Sequence, residues 1–261
     1  MNNESKTLFI PLYGKAAMSR EGFYEDKKAE EIIEKVSFDF DLIDKSKKLA
    51  VYMTIRAMQY DEITGGFISE NPDGIVIALG CGLDSRVARV GQKNCKWYDL
   101  DLPEVIAIRR DFFAETDKYR MISSSATELS WLDSIEYANE SVLVIAEGLT
   151  MYLAENEMKA LFEAFRSKFR KTLFVFDAYS GFAAKMSKIK NPVNSVDAKI
   201  CFAMDDPGIF EQDGINCIFN NDIIRSEYID KLSGIYKMRF RFMRKLGSKM
   251  YRIFGYEIEA K

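Results

Sequence analysis

Five strand-like runs recur between residues 75 and 179, each followed by glycine or polar residues and then by the next connecting segment. They are Ile75–Leu79, CKWYDLDLP at 95–103, YRMISSS at 119–125, SVLVIAEGL at 141–149 and TLFVFDAY at 172–179. Helical patterns fill EVIAIRRDFFAET (104–116) and MKALFEAFRSKF (158–169) between them. Strands that alternate with helices at this spacing return parallel only through crossover connections. The pattern therefore predicts an α/β fold built of βαβ units around an open, mostly parallel sheet with helices on both faces. The unbroken β-branched run Ile75–Leu79 fits a strand buried on both sides.

Ahead of the strands, EDKKAEEIIEK (25–35) reads as an amphipathic helix with Ala29, Ile32, Ile33 and Val36 inward. A second helix is expected from Lys45 to Ile63, ending where Gly65 and Gly66 loosen the chain. After the fifth strand, residues 180–220 carry KNPVNS, DDPG and EQDG and are expected to form a lid or substrate insertion. IYKMRFRFMRKLG then forms a basic helix or strand, whose Arg239, Arg241, Arg244 and Lys245 read as a solvated face, before a terminal YRIFGYEIE strand. With 261 residues, 48% of them hydrophobic, the expectation is a single domain over 1–261, in which the helical residues 1–70 contribute to the ligand site.

The chain has no histidine. That removes Ser-His-Asp hydrolysis, Cys-His proteolysis and the usual histidine-bearing metal sites, so no metal is expected. Cys81, Cys95, Cys201 and Cys217 lack paired ligand spacing and fit a reducing compartment. Forty acidic and 37 basic side chains balance to −3, which gives no global pull toward nucleic acid or anionic lipid. MNNESKTLFIPLYG is not a leader and no run approaches a membrane span, so a cytoplasmic protein with a small-molecule partner is expected.

In open α/β sheets ligands lie beyond the carboxyl ends of the strands. Here those ends are Gly80-Cys81-Gly82, Asp99 to Asp101, Ser123 to Thr127, Glu147 and Asp177. Gly80 and Gly82 let the backbone turn tightly and approach a ligand, although a plain strand-to-helix turn has the same sequence. A carboxylate some twenty residues further on can accept both ribose hydroxyls, and Asp99 and Asp101 both qualify on spacing. Alternation puts the two on one side of the strand. Gly82 is followed by Leu83, Asp84 and Ser85 rather than by a third glycine, so a dinucleotide cradle is not supported. Asp84 would repel a diphosphate but tolerates a cofactor without phosphate, such as S-adenosylmethionine.

LGCGLDSR, WYDLDLPEVIAIRR, SWLDSI and above all IAEGLTMYL, together with YGKAAMSR and MTIRAMQYD, resemble the leucine carboxyl methyltransferase family. The resemblance is to its bacterial, tetracenomycin-type branch of polyketide O-methyltransferases and covers roughly the first 180 residues in register. It implies a class I S-adenosylmethionine-dependent methyltransferase fold: a Rossmann-like, seven-stranded, mostly parallel sheet with one antiparallel strand near the end. It also implies residue roles. Lys15 and Arg56 would grip the methionyl carboxylate, while Gly80, Cys81 and Gly82 would line the cofactor. Asp101 would hold the ribose, with Asp99 its neighbour by spacing. Ala126 and Thr127 would lie near the adenine, and Glu147 would face the cofactor. Tyr152 is open between a core tyrosine and a substrate contact. SSSATELS departs from relatives that place an acid after the third strand, leaving the adenine contact to Ser125, Thr127 or Glu128. Arg86 fits an internal ion pair with Asp84 or Asp101.

The implied activity is O-methylation of a small carboxylate or hydroxyl. Methylation of a protein's carboxy-terminal carboxyl, a sensor that binds S-adenosylmethionine without turnover, and a nicotinamide-dependent reductase are the alternatives. A carboxylate acceptor is already ionised near neutral pH and needs no general base, whereas a phenol benefits from one. The absence of histidine leans toward the carboxylate, and no residue is singled out as a base.

Overall fold

The computed structural model describes residues 4–187, 200–247 and 249–261. Seven strands form one sheet: β1 Ile75–Leu79, β2 Lys96–Asp101, β3 Tyr119–Ser123, β4 Val142–Ala146, β5 Lys171–Tyr179, β6 Ile215–Asp222 and β7 Tyr251–Glu259. Their order is β3-β2-β1-β4-β5-β7-β6, with β1 to β5 parallel and β7 antiparallel to both neighbours. This is the expected mixed sheet. Every residue of β1 and β4 is buried, because helices cover both faces of the centre.

On one face Val76, Ala78, Leu143, Ile145 and Val175 pack with α1 (Glu4–Arg20), α2 (Lys27–Lys35) and α3 (Lys47–Glu70). On the other, Ile77, Leu79, Val144, Ala146, Phe174 and Phe176 meet α6 (Glu155–Lys168), whose Phe162 and Phe165 join an aromatic cluster with Tyr256 and Phe210. Each such ring contributes about 1.5–3 kcal/mol of burial free energy.

Three local expectations change. Helix α3 does not stop before Gly65-Gly66 but runs on to Glu70, because Phe67 and Ile68 beyond the glycines are buried and offset their entropy cost. The helix expected over 104–116 is shorter: α5 spans Pro103–Arg109, after which Phe113 folds back beneath the Arg109 guanidinium, 4.1 Å from its ring centre. Of 180–220, residues 215–220 belong to the edge strand β6, whose register against β7 makes them part of the sheet; 188–199 lie outside the described residues. The basic segment is a helix, Gly234–Gly247, which settles the open choice between helix and strand. No helix among the described residues is long and apolar enough to cross a membrane.

Candidate active site

The strand order reverses between β1 and β4, the place in an open α/β sheet where ligands lie beyond the carboxyl ends of the strands. Gly80 and Gly82 take φ of +60° and +52°, which favour glycine, and turn the chain out of β1. The Gly82 N–H donates to Asp101 Oδ2 at 2.7 Å, so the acid at the end of β2 sits against the glycine loop. Asp101 Oδ1 accepts the Leu102 N–H at 2.7 Å. Burial lifts the Asp101 carboxyl above the usual range, and the two backbone N–H groups only partly oppose it.

Asp101 is in register with Ser123, and its carbonyl accepts the Ser124 N–H at 3.0 Å, which carries the loop after β3 alongside. There Ala126 is buried and the Ser125 and Thr127 hydroxyls lie 2.9 Å apart, while Glu128 is exposed. Gly80, Cys81, Gly82, Asp101, Ala126 and Thr127 therefore follow the ends of three adjacent strands.

Opposite them lies a buried ionic network. Arg56 on α3 donates from Nε to Glu147 Oε1 at 2.9 Å, just past β4. Its other arm reaches the Tyr251 hydroxyl at 2.9 Å and Asp177 at 3.4 Å. Arg86, at the start of α4 (Arg86–Val90), bridges Glu147, Asp84 at 3.1 Å and Asp61 at 2.8 Å. Lys15 on α1 is 3% exposed and pairs with Asp84. Burial pushes the Glu147 carboxyl up, but Arg86 and Arg56 outweigh it and hold the group below the usual range. Asp84 is held further down by Arg86, Arg89 and Lys15 against the same desolvation. Asp177 goes the other way: burial dominates, and its carboxyl is raised.

Asp99 takes no part in this network. It is 2% exposed, accepts from Trp97 Nε1 at 2.8 Å and from the Tyr119 hydroxyl at 2.7 Å, and pairs with Arg109. Its side chain shares the face of Asp101, as alternation requires, but lies one turn of the pleat deeper, where an unpaired carboxylate could not be held. Spacing admitted both acids; in the structure Asp101 lies against the glycine turn, and Asp99 is engaged in an internal ion pair with Arg109. Arg86 pairs with Asp84, as one of its two expected partners, and not with Asp101.

Tyr152 is half-buried in a short 3-10 turn after β4, with Arg56 and Asp177 facing it, and burial raises its phenol. Tyr179, at the end of β5 and pushed up to about 12 chiefly by burial, stacks on Tyr251 at 4.1 Å, and Tyr52 also stacks on Tyr251, at 6.1 Å. Sequence reasoning did not single out Tyr251 or Asp61. Tyr251 reaches the site only through the antiparallel register that sets it opposite Tyr179. Asp61 is a plain helical acid in the sequence; its partners Arg86 and Arg89 come from a different segment.

The comparisons with known proteins decide the family. Residues 13–166 match the model of the leucine carboxyl methyltransferase family. The chain is 32% identical over 209 residues to the tetracenomycin polyketide synthesis O-methyltransferase TcmP of Streptomyces glaucescens, covering 79% of this chain and 77% of that protein. The chain belongs to the leucine carboxyl methyltransferase family. It is also 26% identical over 231 residues to the S-adenosyl-L-methionine-dependent methyltransferase dpfgK of Gibberella zeae, with 79% and 77% covered. The structure of the plantazolicin methyltransferase BamL shares the fold at a TM-score of 0.51, 8% identity and coverage of 98% and 100%.

Members of the leucine carboxyl methyltransferase family use S-adenosylmethionine, and this chain is such a methyltransferase. Its residues fit that cofactor. Its methionyl end carries an ammonium and a carboxylate, and the network offers both signs at once: Lys15, Arg56 and Arg86 alternate with Asp84 and Glu147. The glycine turn is closely covered by the chain itself: a Cβ on Gly82 would lie 2.9 Å from Leu8 Cδ1, and one on Gly80 would lie 3.1 Å from Leu149 Cδ1.

Proposed function

We propose that this family member transfers a methyl group from S-adenosylmethionine to an oxygen of a small, polyketide-like carboxylate or hydroxyl compound. The observation that carries the site assignment is the meeting of Arg56, Arg86 and Glu147 with the Gly82–Asp101 contact at the strand-order reversal, from four separate stretches of sequence. The name of TcmP, a polyketide O-methyltransferase, supports the acceptor class.

In this reading Lys15 and Arg56 orient the methionyl carboxylate, Arg56 as a fork and Lys15 as a point charge. Glu147 takes the ammonium, Asp101 accepts the ribose hydroxyls, and Ser125, Ala126 and Thr127 border the adenine. The cofactor supplies a methyl group activated by its sulfonium. Helix α1 and Leu8 exclude water above the glycine loop, and Tyr152 and Tyr179 present rings on the acceptor side, so the chain's contribution is mainly orientation in a dry site. An ionised carboxylate needs no base there. The buried, hydrogen-bonded Asp177 holds Tyr251 at 2.8 Å and the Gly148 N–H at 2.7 Å, which marks it as a positioning group. A cytoplasmic location goes with this reading.

Calorimetric titration with S-adenosylmethionine and S-adenosylhomocysteine, with NADH as control, tests the pocket. Micromolar binding of the first two alone is expected. Methyl transfer to aromatic acids and phenols then tests the acceptor class; binding without any transfer would mark a sensor and sink the enzymatic reading.

A further inference from the structure

Beyond β5, at the same carboxyl edge of the sheet, β6 and β7 border a cleft of about 280 Å³ that the network above does not use. Six charged side chains line it: Asp222, Arg225, Glu227, Arg244, Lys249 and Arg252. Arg225 is paired with Glu227. Asp222 accepts the Lys249 backbone N–H at 2.8 Å. Among the described residues Arg244, Lys249 and Arg252 form no ion pair with a carboxylate.

Arg252 is the informative one. It is 7% exposed, and its guanidinium donates only to the carbonyls of Met204 at 3.3 Å and Asp205 at 2.8 Å. Carbonyls satisfy hydrogen bonds without neutralising charge, and the Phe254 ring centre lies 4.8 Å from the guanidinium carbon, so Arg252 lines the cleft with no carboxylate ion-paired to it among the described residues; Asp222 is its cross-strand neighbour, and Arg244 and Lys249 lie exposed beside it. Such a surplus is held at a cost unless an anion completes it, and arginine is suited to a planar carboxylate.

A second, smaller cavity of about 20 Å³ shares Asp222, Ile224 and Arg244 with the cleft and is walled by Tyr52 and Tyr251. Tyr251 is bonded to Arg56 at 2.9 Å, so a residue that walls the smaller cavity also belongs to the buried network. In the sheet, β7 and β5 separate β6 from β4, which puts the cleft about 14 Å, three strand spacings, from Glu147.

We propose that this cleft anchors a carboxylate of the acceptor that is not the oxygen being methylated, through Arg244, Lys249 and Arg252. The proposal rests on the small-molecule acceptor reading and narrows it to anionic acceptors that span cleft and tyrosines.

The test is titration of the full chain, with and without S-adenosylhomocysteine, using 6-hydroxy-2-naphthoate and its uncharged counterpart 2-naphthol. The naphthoate is expected to bind at least tenfold more tightly than naphthol. The double variant R244Q/K249Q should lose that preference, with S-adenosylhomocysteine affinity serving as the fold control, and R252Q should lose it too if it folds. Equal binding of the two probes, no binding of the naphthoate, or a preference intact in R244Q/K249Q would overturn the proposal. Failure of S-adenosylhomocysteine to bind would count against the methyltransferase site instead, because the naphthoate preference is read without it as well.

Discussion

Arg56 Nε lies 2.9 Å from Glu147 Oε1, joining helix α3 to the end of β4 across 91 residues of sequence. Both groups are buried, at 7% and 12% side-chain exposure. Glu147→Gln leaves the guanidinium groups of Arg56 and Arg86 without one of their carboxylates. Removing one partner of a buried pair costs about 3–5 kcal/mol, and the lower end is expected because Asp177 and Asp61 remain beside the two arginines. Urea denaturation should show a reduced midpoint, and calorimetry at least tenfold weaker S-adenosylhomocysteine binding. A variant equal to wild type in both would place the cofactor elsewhere.

Asp99 and Asp101, two residues apart on β2, should respond oppositely to substitution. Asp101→Ala is expected to weaken S-adenosylmethionine binding by more than about tenfold, the cost of a charge-assisted hydrogen bond. Because burial raises the Asp101 carboxyl, cofactor affinity should begin to fall at a pH above the ordinary aspartate range near ~4. Asp99→Asn weakens its pairing with Arg109 and should lower stability while leaving cofactor affinity in the folded protein unchanged. Calorimetry and melting on the two variants separate these outcomes; a binding defect confined to the Asp99 variant would reverse the assignment.

The contrast also shows how far the sequence could be read. Periodicity located β1 to β5 and β7, and it placed Gly80, Asp101 and Glu147 at the ends of β1, β2 and β4, because local spacing determines which residues leave a strand together. Choosing between Asp99 and Asp101 required depth, and depth depends on Arg109 and Tyr119 arriving from other elements. Tyr251 is a plainer case: its place beside Arg56 follows from the antiparallel register of β7 on β5, which no local pattern in YRIFGYEIE encodes. Edge strand β6 is not legible in INCIFNND because its polarity does not alternate: Ile218 is exposed, and the register on β7 shifts between Cys217 and Phe219 inside a turn-rich stretch.

Gly148 has φ of +71°, and a Cβ there would lie 3.0 Å from both terminal nitrogens of Arg56. Gly148→Ala therefore combines left-handed backbone strain of about 1–2 kcal/mol with displacement of the guanidinium from Glu147. Cofactor affinity should drop along with stability. The Gly91→Ala variant is the control, since Gly91 has φ of +76° and nothing within 4 Å of its added Cβ. It should lose stability without losing affinity. Equal affinity losses in the two would mean that strain alone, not the Arg56 contact, is responsible.

Acid should unfold the protein through Asp84 and Glu147. Both carboxyls are depressed in the folded state, where cations outweigh burial, so below the ordinary carboxylate range near ~4 the unfolded chain binds more protons than the native one. Their stabilisation is present in full above that range and is lost as pH falls through the lower folded values. Asp177 and Asp101, raised by burial, act with the opposite sign and should make stability rise slightly on mild acidification before the loss begins. Stability from urea titrations at several pH values should therefore pass through a maximum on the acid side of neutrality. In Asp84→Asn the stability at neutral pH should be lower, and the gap to wild type should close as acid protonates Asp84 in the latter. A gap independent of pH would mean that the carboxylate's charge contributes nothing, and that its hydrogen bonds alone hold Lys15 and Arg86 in place.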